Sequence, residues 1–184
     1  MKKSLGLFGT NKHIALGNGI DGLSRVIHSN KITPEILTDY TKIVFKDRLE
    51  VLLGTKNIEY YNHVQENYLD IIKLADKHYD LVLVDLDTEM QEKHQKEILE
   101  NSNLIVATMS QRLKSIREFN EYRNQNPSFN SSRVLLLVGR YDKYSKYTVK
   151  NITRNYLREK IEICTLPYNT LFFEAAEEAK VPDL

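Results

Sequence analysis

Six short runs of β-type residues, at 4–8, 49–53, 81–86, 104–108, 134–138 and 161–166, alternate with longer stretches of helical periodicity. Strands buried on both faces read as continuous apolar runs, and parallel neighbours need a crossover between them. The alternation therefore predicts an α/β fold, three-layer and doubly wound, with helices on both sides of a mainly parallel sheet. The strands at 4–8 and 81–86 are expected as central neighbours in it. Val64, Tyr68, Leu69, Ile71, Ile72 and Ala75 mark the buried face of one helix. Leu113, Ile116, Phe119 and Tyr122 mark a second, and Val149, Ile152, Tyr156 and Leu157 a third. Ser110 and Thr170 are placed to cap helices, and Pro127, Pro167 and the polar stretch NPSFNSSR (126–133) supply connections. Gly17, Gly19 and Gly22 predict a loop before a short helix at 23–27, and Thr33-Pro34-Glu35 predicts another helix start.

At 184 residues the chain is expected to form one domain, 1–184, with a full core. Its 26 basic and 25 acidic residues leave a formal charge of +1, so no overall field points to nucleic acid. Cys164 is the only cysteine, which excludes an internal disulfide and a cysteine-rich metal site and makes a reduced, cytoplasmic setting the expectation. No apolar run approaches the roughly 18 residues of a membrane span, so no transmembrane segment is expected.

The stretch YDLVLVDLDTEM (79–90) joins a run built for burial to two carboxylates, Asp85 and Asp87. Burying a charge is costly, so a carboxylate closing such a strand has a partner, a metal or a place at the open rim of the sheet. Ligands of open α/β sheets gather at the carboxyl ends of strands. An Asp there can hold Mg²⁺ through a water beside a nucleotide, the Walker B arrangement. It can equally cap the next helix, and the motif by itself leaves both readings open.

The order of the surrounding motifs adds a resemblance. Upstream stand GIDGLSRVI (19–27) and LEVLLGT (49–55). Downstream come ILENSNLIVATMSQRLKSIREFNEY (98–122), RVLLLVGRYD (133–142) and ICTLPYNTLFFEAAEEAKVP (163–182). In this order, over roughly residues 19–182, the chain resembles the MinD/ParA family of bacterial ATPases. Those proteins have a Rossmann-like P-loop NTPase topology and often act as dimers at membranes, DNA or large assemblies. The resemblance implies ATP and Mg²⁺ as cofactors, Asp85 as the Mg²⁺-water residue and Asp87 in the loop that follows. It also implies Gly139, Arg140, Pro167 and Tyr168 near the nucleotide, and a protein partner or a homodimer.

Three departures bear on that reading. The family's glycine-rich phosphate loop, KGGxGK[ST], is not present. GLFGTNKH (6–13) has the spacing of a P-loop and places Lys12 where the phosphate-binding lysine belongs. Yet Asn11 stands for the second Gly and His13 for the Mg²⁺-binding hydroxyl. Only 10–18 separate the first strand from the GIDGL segment, so relative to the family the loop, the first helix and the second strand are lost, or are omitted from this stretch of a longer parent. KSLGLFG (3–9) fills the place of the first strand, without which both neighbours would expose unpaired backbone. Finally, Gly139 replaces the Asn that reads adenine. The expected function is a MinD/ParA-like domain for nucleotide-controlled assembly or positioning, not nucleotide-competent as the chain stands. The competing function is a nucleotide-free interaction module on the same fold.

The five histidines show no metal spacing and are expected on the surface or in loops. Tyr60, Tyr61, Tyr68 and Tyr79 are expected to pack at the core or its rim. The cluster at 140–160 mixes basic residues with tyrosines, as either a solvated helix face or a docking patch for an acidic partner. Ser24, Ser110 and Ser115 lack the setting of a nucleophile.

Overall fold

The computed structural model describes residues 4–8 along the backbone, and residues 19–29, 32–55, 57–86, 90–130, 133–157, 161–171 and 174. The chain divides into two compact units, Met1–Glu100 and Asn101–Leu184. Each is α/β.

The first unit is built on strands β1 (Ser4–Phe8), β2 (Lys42–Phe45), β3 (Leu49–Leu53) and β4 (Leu81–Val84), with helices α1 (Ile20–Val26), α2 (Ile58–Gln65), α3 (Tyr68–Asp76) and α4 (Glu92–Asn101). Strand order is β2-β3-β1-β4. β1 runs parallel to both β3 and β4, Gly6 standing level with Val51 on one side and Leu83 on the other. Ser4–Phe8 thus supplies the strand whose loss would have left two edges open. β4, in contrast, ends this four-stranded sheet instead of lying inside it. Its unbroken apolar run suggested burial on both faces, but Leu81 and Leu83 are 51% and 53% exposed, while Val82 packs against the core.

Register places Glu50, Leu52 and Val82 on one face, because aligned residues of parallel neighbours share a side. Against that face pack Leu23, Ile27, Leu37, Val64, Ile71 and Tyr79, all buried. Glu50 is buried there as well and accepts hydrogen bonds from the Tyr79 hydroxyl (2.6 Å) and the Thr41 hydroxyl (2.7 Å). Burial, then the neighbouring Glu50 carboxylate, holds the Tyr79 phenol above its ordinary pKa.

Several local expectations are corrected. Strand β2 was not foreseen: it pairs antiparallel to β3 through a turn in which Asp47 adopts φ 58°. The helix expected across 64–75 is two helices, because Asn67 turns its side chain inward. Its amide donates to Ser24 Oγ at 3.1 Å and its carbonyl oxygen lies 2.6 Å from His28 Nε2, satisfying polar groups at a buried break. α1 begins at Ile20 and carries Gly22 within it, three residues before the expected start. The Thr33-Pro34 start is confirmed, as a 3₁₀ turn over Pro34–Asp39. Among the histidines, His94 is buried, with Nδ1 3.3 Å from Glu97 Oε2. Tyr79 is buried, and Tyr60 and Tyr68 pack partly buried against the core, as expected.

The second unit is a parallel sheet of β5 (Ile105–Ser110), β6 (Val134–Tyr141) and β7 (Glu162–Pro167) in the order β5-β6-β7, with helices α5 (Leu113–Gln125) and α6 (Val149–Asn155). Alternate residues Val134, Leu136 and Val138 of β6 are buried, as are Ile116 and Phe119 of α5 and Ile152 of α6. Ser110 does not cap α5. It closes β5 with its Oγ 2.7 Å from Ser115 Oγ, and Arg112 occupies the cap position. Asn169, not Thr170, plays the capping part after β7, its Oδ1 accepting from Leu171 N at 2.9 Å. Pro167 is the last residue of β7, where its missing N–H costs the ladder nothing, so it ends a strand instead of forming a connection.

Candidate functional site

Parallel pairing sets the geometry. Since β1 and β4 are parallel neighbours, with Leu7 level with Val84, the chain leaving β1 and the chain leaving β4 emerge at the same end of the sheet. Asp85 is the first residue beyond β4 and is exposed. It has no hydrogen bond or ion pair with any described residue. The next helix, α4, starts only at Glu92, so Asp85 is not its cap. What remains is an exposed carboxylate at the carboxyl rim, without a partner among the described residues.

An Asp in that position suits a hard divalent cation held through water, which needs one or two protein carboxylates and takes its other ligands from phosphates and solvent. Among the described residues no group of three His, Cys, Asp or Glu side chains is placed to hold a metal by itself. Lys12, with Asn11 and His13, and Asp87 lie outside the described residues.

Beyond Asp85 the chain is tied down again at Met90 and Gln91. Gln91 N donates to Oε1 of the buried Gln65 at 2.8 Å, and Gln91 Nε2 donates to Asn62 Oδ1 at 3.2 Å. Gln95 Nε2 donates to the Met90 carbonyl at 2.9 Å. The far end of the acidic loop is therefore fixed to α2. Gln65 was not singled out from sequence; its only signal is an amide one position after the buried Val64 on an otherwise amphipathic helix.

In the second unit, register brings the other candidates together. Gly139 stands level with Leu166, and Tyr141 with Pro167 across a register shift. Gly139-Arg140 and Pro167-Tyr168 therefore lie side by side at the carboxyl ends of β6 and β7. Arg140 has φ 53°, the left-handed region that a non-glycine residue enters at a cost of roughly 1–2 kcal/mol. A Cβ added at Gly139 would meet only the Met109 carbonyl oxygen, at 3.8 Å, an ordinary contact. Packing leaves room for a Cβ at this position. Tyr168 is exposed, as is Pro167. Gln111, also missed from sequence, follows β5 and clamps the segment after β6, with Oε1 accepting from Asp142 N at 2.8 Å.

Asp85→Asn is expected to change stability by less than about 0.5 kcal/mol, since an exposed rim carboxylate with no partner among the described residues contributes little. Urea melts of the two proteins check this. A loss of 0.5–2 kcal/mol, about that of a helix cap, would return Asp85 to a structural role.

No protein-family model and no curated protein matches the sequence. Solved structures do. The ParA family ATPase of Chlorobium tepidum TLS superposes with a TM-score of 0.81 at 16% identity, over 99% of this chain and 79% of that one. The cell division ATPase MinD of Pyrococcus furiosus gives 0.63 at 13% identity, over 96% and 75%. MinD in the MinC:MinD cell division complex of Aquifex aeolicus gives 0.58 at 19%, over 97% and 74%. The fold is that of the MinD/ParA-like P-loop NTPases.

Proposed function

We propose that this chain is a MinD/ParA-like ATPase-family domain, spanning 1–184, whose role is assembly or positioning, and that as it stands it does not hold nucleotide tightly. The observation that carries the first part is the parallel pairing of β1 with β4 in a fold of this kind. Because the two strands run parallel, the carboxyl end of β1 and Asp85, just past β4, share one rim, which supports a site there for a nucleotide's phosphates and Mg²⁺. In that reading Asp85 orients the Mg²⁺ shell and Asp87 lies in the loop that responds to it. Lys12 meets the phosphates, and Gly139, Arg140, Pro167 and Tyr168 border the base. Bound Mg²⁺ would neutralise charge on the phosphates.

The second part rests on residue chemistry. An Asn side chain at position 11 would crowd the approach of a phosphate, the imidazole of His13 is a poor ligand for a hard cation, and Gly139 has no side-chain amide to offer a base. A similar MinD forms a complex with MinC. For this chain a protein partner or a second copy is the corresponding proposal, in the cytoplasm. Among the described residues no helix is long and apolar enough to cross a membrane.

Sedimentation velocity with and without Mg²⁺-ATP tests the reading. The sedimentation coefficient is expected to be the same in both conditions. A dimer that forms only with Mg²⁺-ATP would overturn the loss of nucleotide control. A nucleotide-free interaction module is the second reading, favoured by the ordered basic turn that follows Gly139.

A further inference from the structure

We propose that the turn and helix over 143–154 form a docking surface for an acidic peptide segment of a partner protein, with Tyr144 as the anchor. The surface uses neither Asp85 nor a phosphate loop, so it stands whether or not the chain binds nucleotide.

The segment is held firmly from beneath. Residues 142–145 close a turn through Ser145 N to the Asp142 carbonyl, at 3.2 Å. Gln111 Nε2 donates to the carbonyls of Asp142 (3.0 Å) and Tyr147 (2.9 Å), gripping the turn at both ends. Thr148 caps α6 by accepting from Asn151 N at 3.3 Å, and Asn151 Nδ2 donates back to the Lys146 carbonyl at 2.8 Å. Tyr147 packs against Tyr156 with ring centroids 6.2 Å apart.

Tyr144, at the top of this scaffold, is 85% exposed. Lys143 Nζ lies 5.0 Å from its ring centroid, and Lys146 Nζ lies 5.1 Å from that of Tyr147. A tyrosine fixed in a hydrogen-bonded turn loses little freedom on binding, which is the property of an interface anchor.

Charge selects the partner. Between 143 and 154 stand Lys143, Lys146, Lys150 and Arg154, all exposed, and no carboxylate, in a chain whose total charge is +1. No described carboxylate forms an ion pair with any of the four. The nearby Asp142 turns its Oδ1 to Tyr144 N at 2.9 Å, so it is engaged within the turn. Lys150 and Arg154, four apart, share one side of α6. The complement is acidic and short. A nucleic acid is disfavoured because the chain has a pI near 7.8 and the patch offers one fully projecting ring, whereas such partners call for a strongly basic domain and a series of stacking rings.

Panning phage-displayed random dodecapeptides against the immobilised full chain, at about 150 mM salt, tests the proposal. Enriched peptides are expected to carry net negative charge. A synthetic copy is expected to lose about tenfold in affinity on Tyr144→Ala, and again on Lys143→Ser with Lys146→Ser. Gln111→Ala, which keeps every charge, is expected to weaken binding too, and a peptide with Gln in place of its acids is expected not to bind the unaltered chain. The substituted side chains of the first two variants are exposed, and unchanged melting temperatures confirm their folding. No enrichment, no acidic bias, or binding unaffected by Tyr144→Ala would overturn the proposal. So would tighter binding, through the same residues, of an oligothymidylate or of vesicles rich in anionic lipid.

Discussion

Leu52→Ala is expected to destabilise the chain by about 2–5 kcal/mol, the range for emptying a buried leucine site. Leu52, next to the last residue of β3, is 1% exposed, on the face that meets Leu23, Val64 and Ile71. Its register partner Leu7 is in turn level with Val84, so the cavity would open directly beside the strands that end at the candidate site. Leu23, Val64 and Ile71 belong to three separate helices, so filling the cavity would require all three to shift. Urea denaturation followed by far-ultraviolet circular dichroism measures the loss. A change below about 1 kcal/mol would mean that this face of the sheet is not the centre of the core.

Gly19→Ala is expected to have a comparable effect by a different route. Gly19 adopts φ 100° and ψ −160°, a region essentially closed to residues with a side chain. A Cβ there would stand 3.1 Å from the Leu53 carbonyl oxygen, a backbone atom at the end of β3 that cannot swing aside. Conformational strain alone costs about 1–3 kcal/mol, and the contact adds to it. Gly22→Ala, inside α1, serves as the control, because there alanine favours the helix by about 1 kcal/mol over glycine. The two substitutions are expected to move the melting temperature in opposite directions. Equal losses at both would refute the conformational explanation.

The contrast between these glycines also shows what the sequence conveys and what it does not. All three glycines at 17–22 looked like helix breakers; Gly17 lies outside the described residues, Gly22 sits in α1, and Gly19 needs to be glycine because of its φ of 100° and the approach of Leu53. The strands at 4–8 and 49–53 were legible because each is a short apolar run closed by a glycine, and the centre of the second is buried. β2 was not, since Lys42-Ile43-Val44-Phe45 is exposed throughout and shows no alternation, although its β-branched pair before Lys46-Asp47 was a usable signal. The break at Asn67 escaped because the apolar spacing runs straight through it, and the competing hydrogen bonds come from Ser24 and His28, far away in sequence.

At the candidate site, the position of Asp85 at a strand end was readable from LVLVD. Its freedom from any helix cap was not, because that depends on how far α4 lies from β4. The pairing of Gly139 with Leu166 and of Tyr141 with Pro167 follows from strand order, which six similar runs do not specify. Gln65 and Gln111 escaped for a related reason. Each is a lone amide whose importance comes from a backbone group it meets, at Gln91 and at Asp142 and Tyr147, and composition carries no trace of such meetings.

The proposal joins a MinD/ParA-like fold to a chain that does not hold nucleotide tightly. Isothermal titration calorimetry of the full chain with Mg²⁺-ATP addresses it most directly, with Asp85→Asn titrated in parallel. No saturable heat is expected up to about 1 mM nucleotide, for either protein. A dissociation constant in the micromolar range for the unaltered chain, lost in Asp85→Asn, would contradict the claim and show that the segment around Lys12 still binds phosphate.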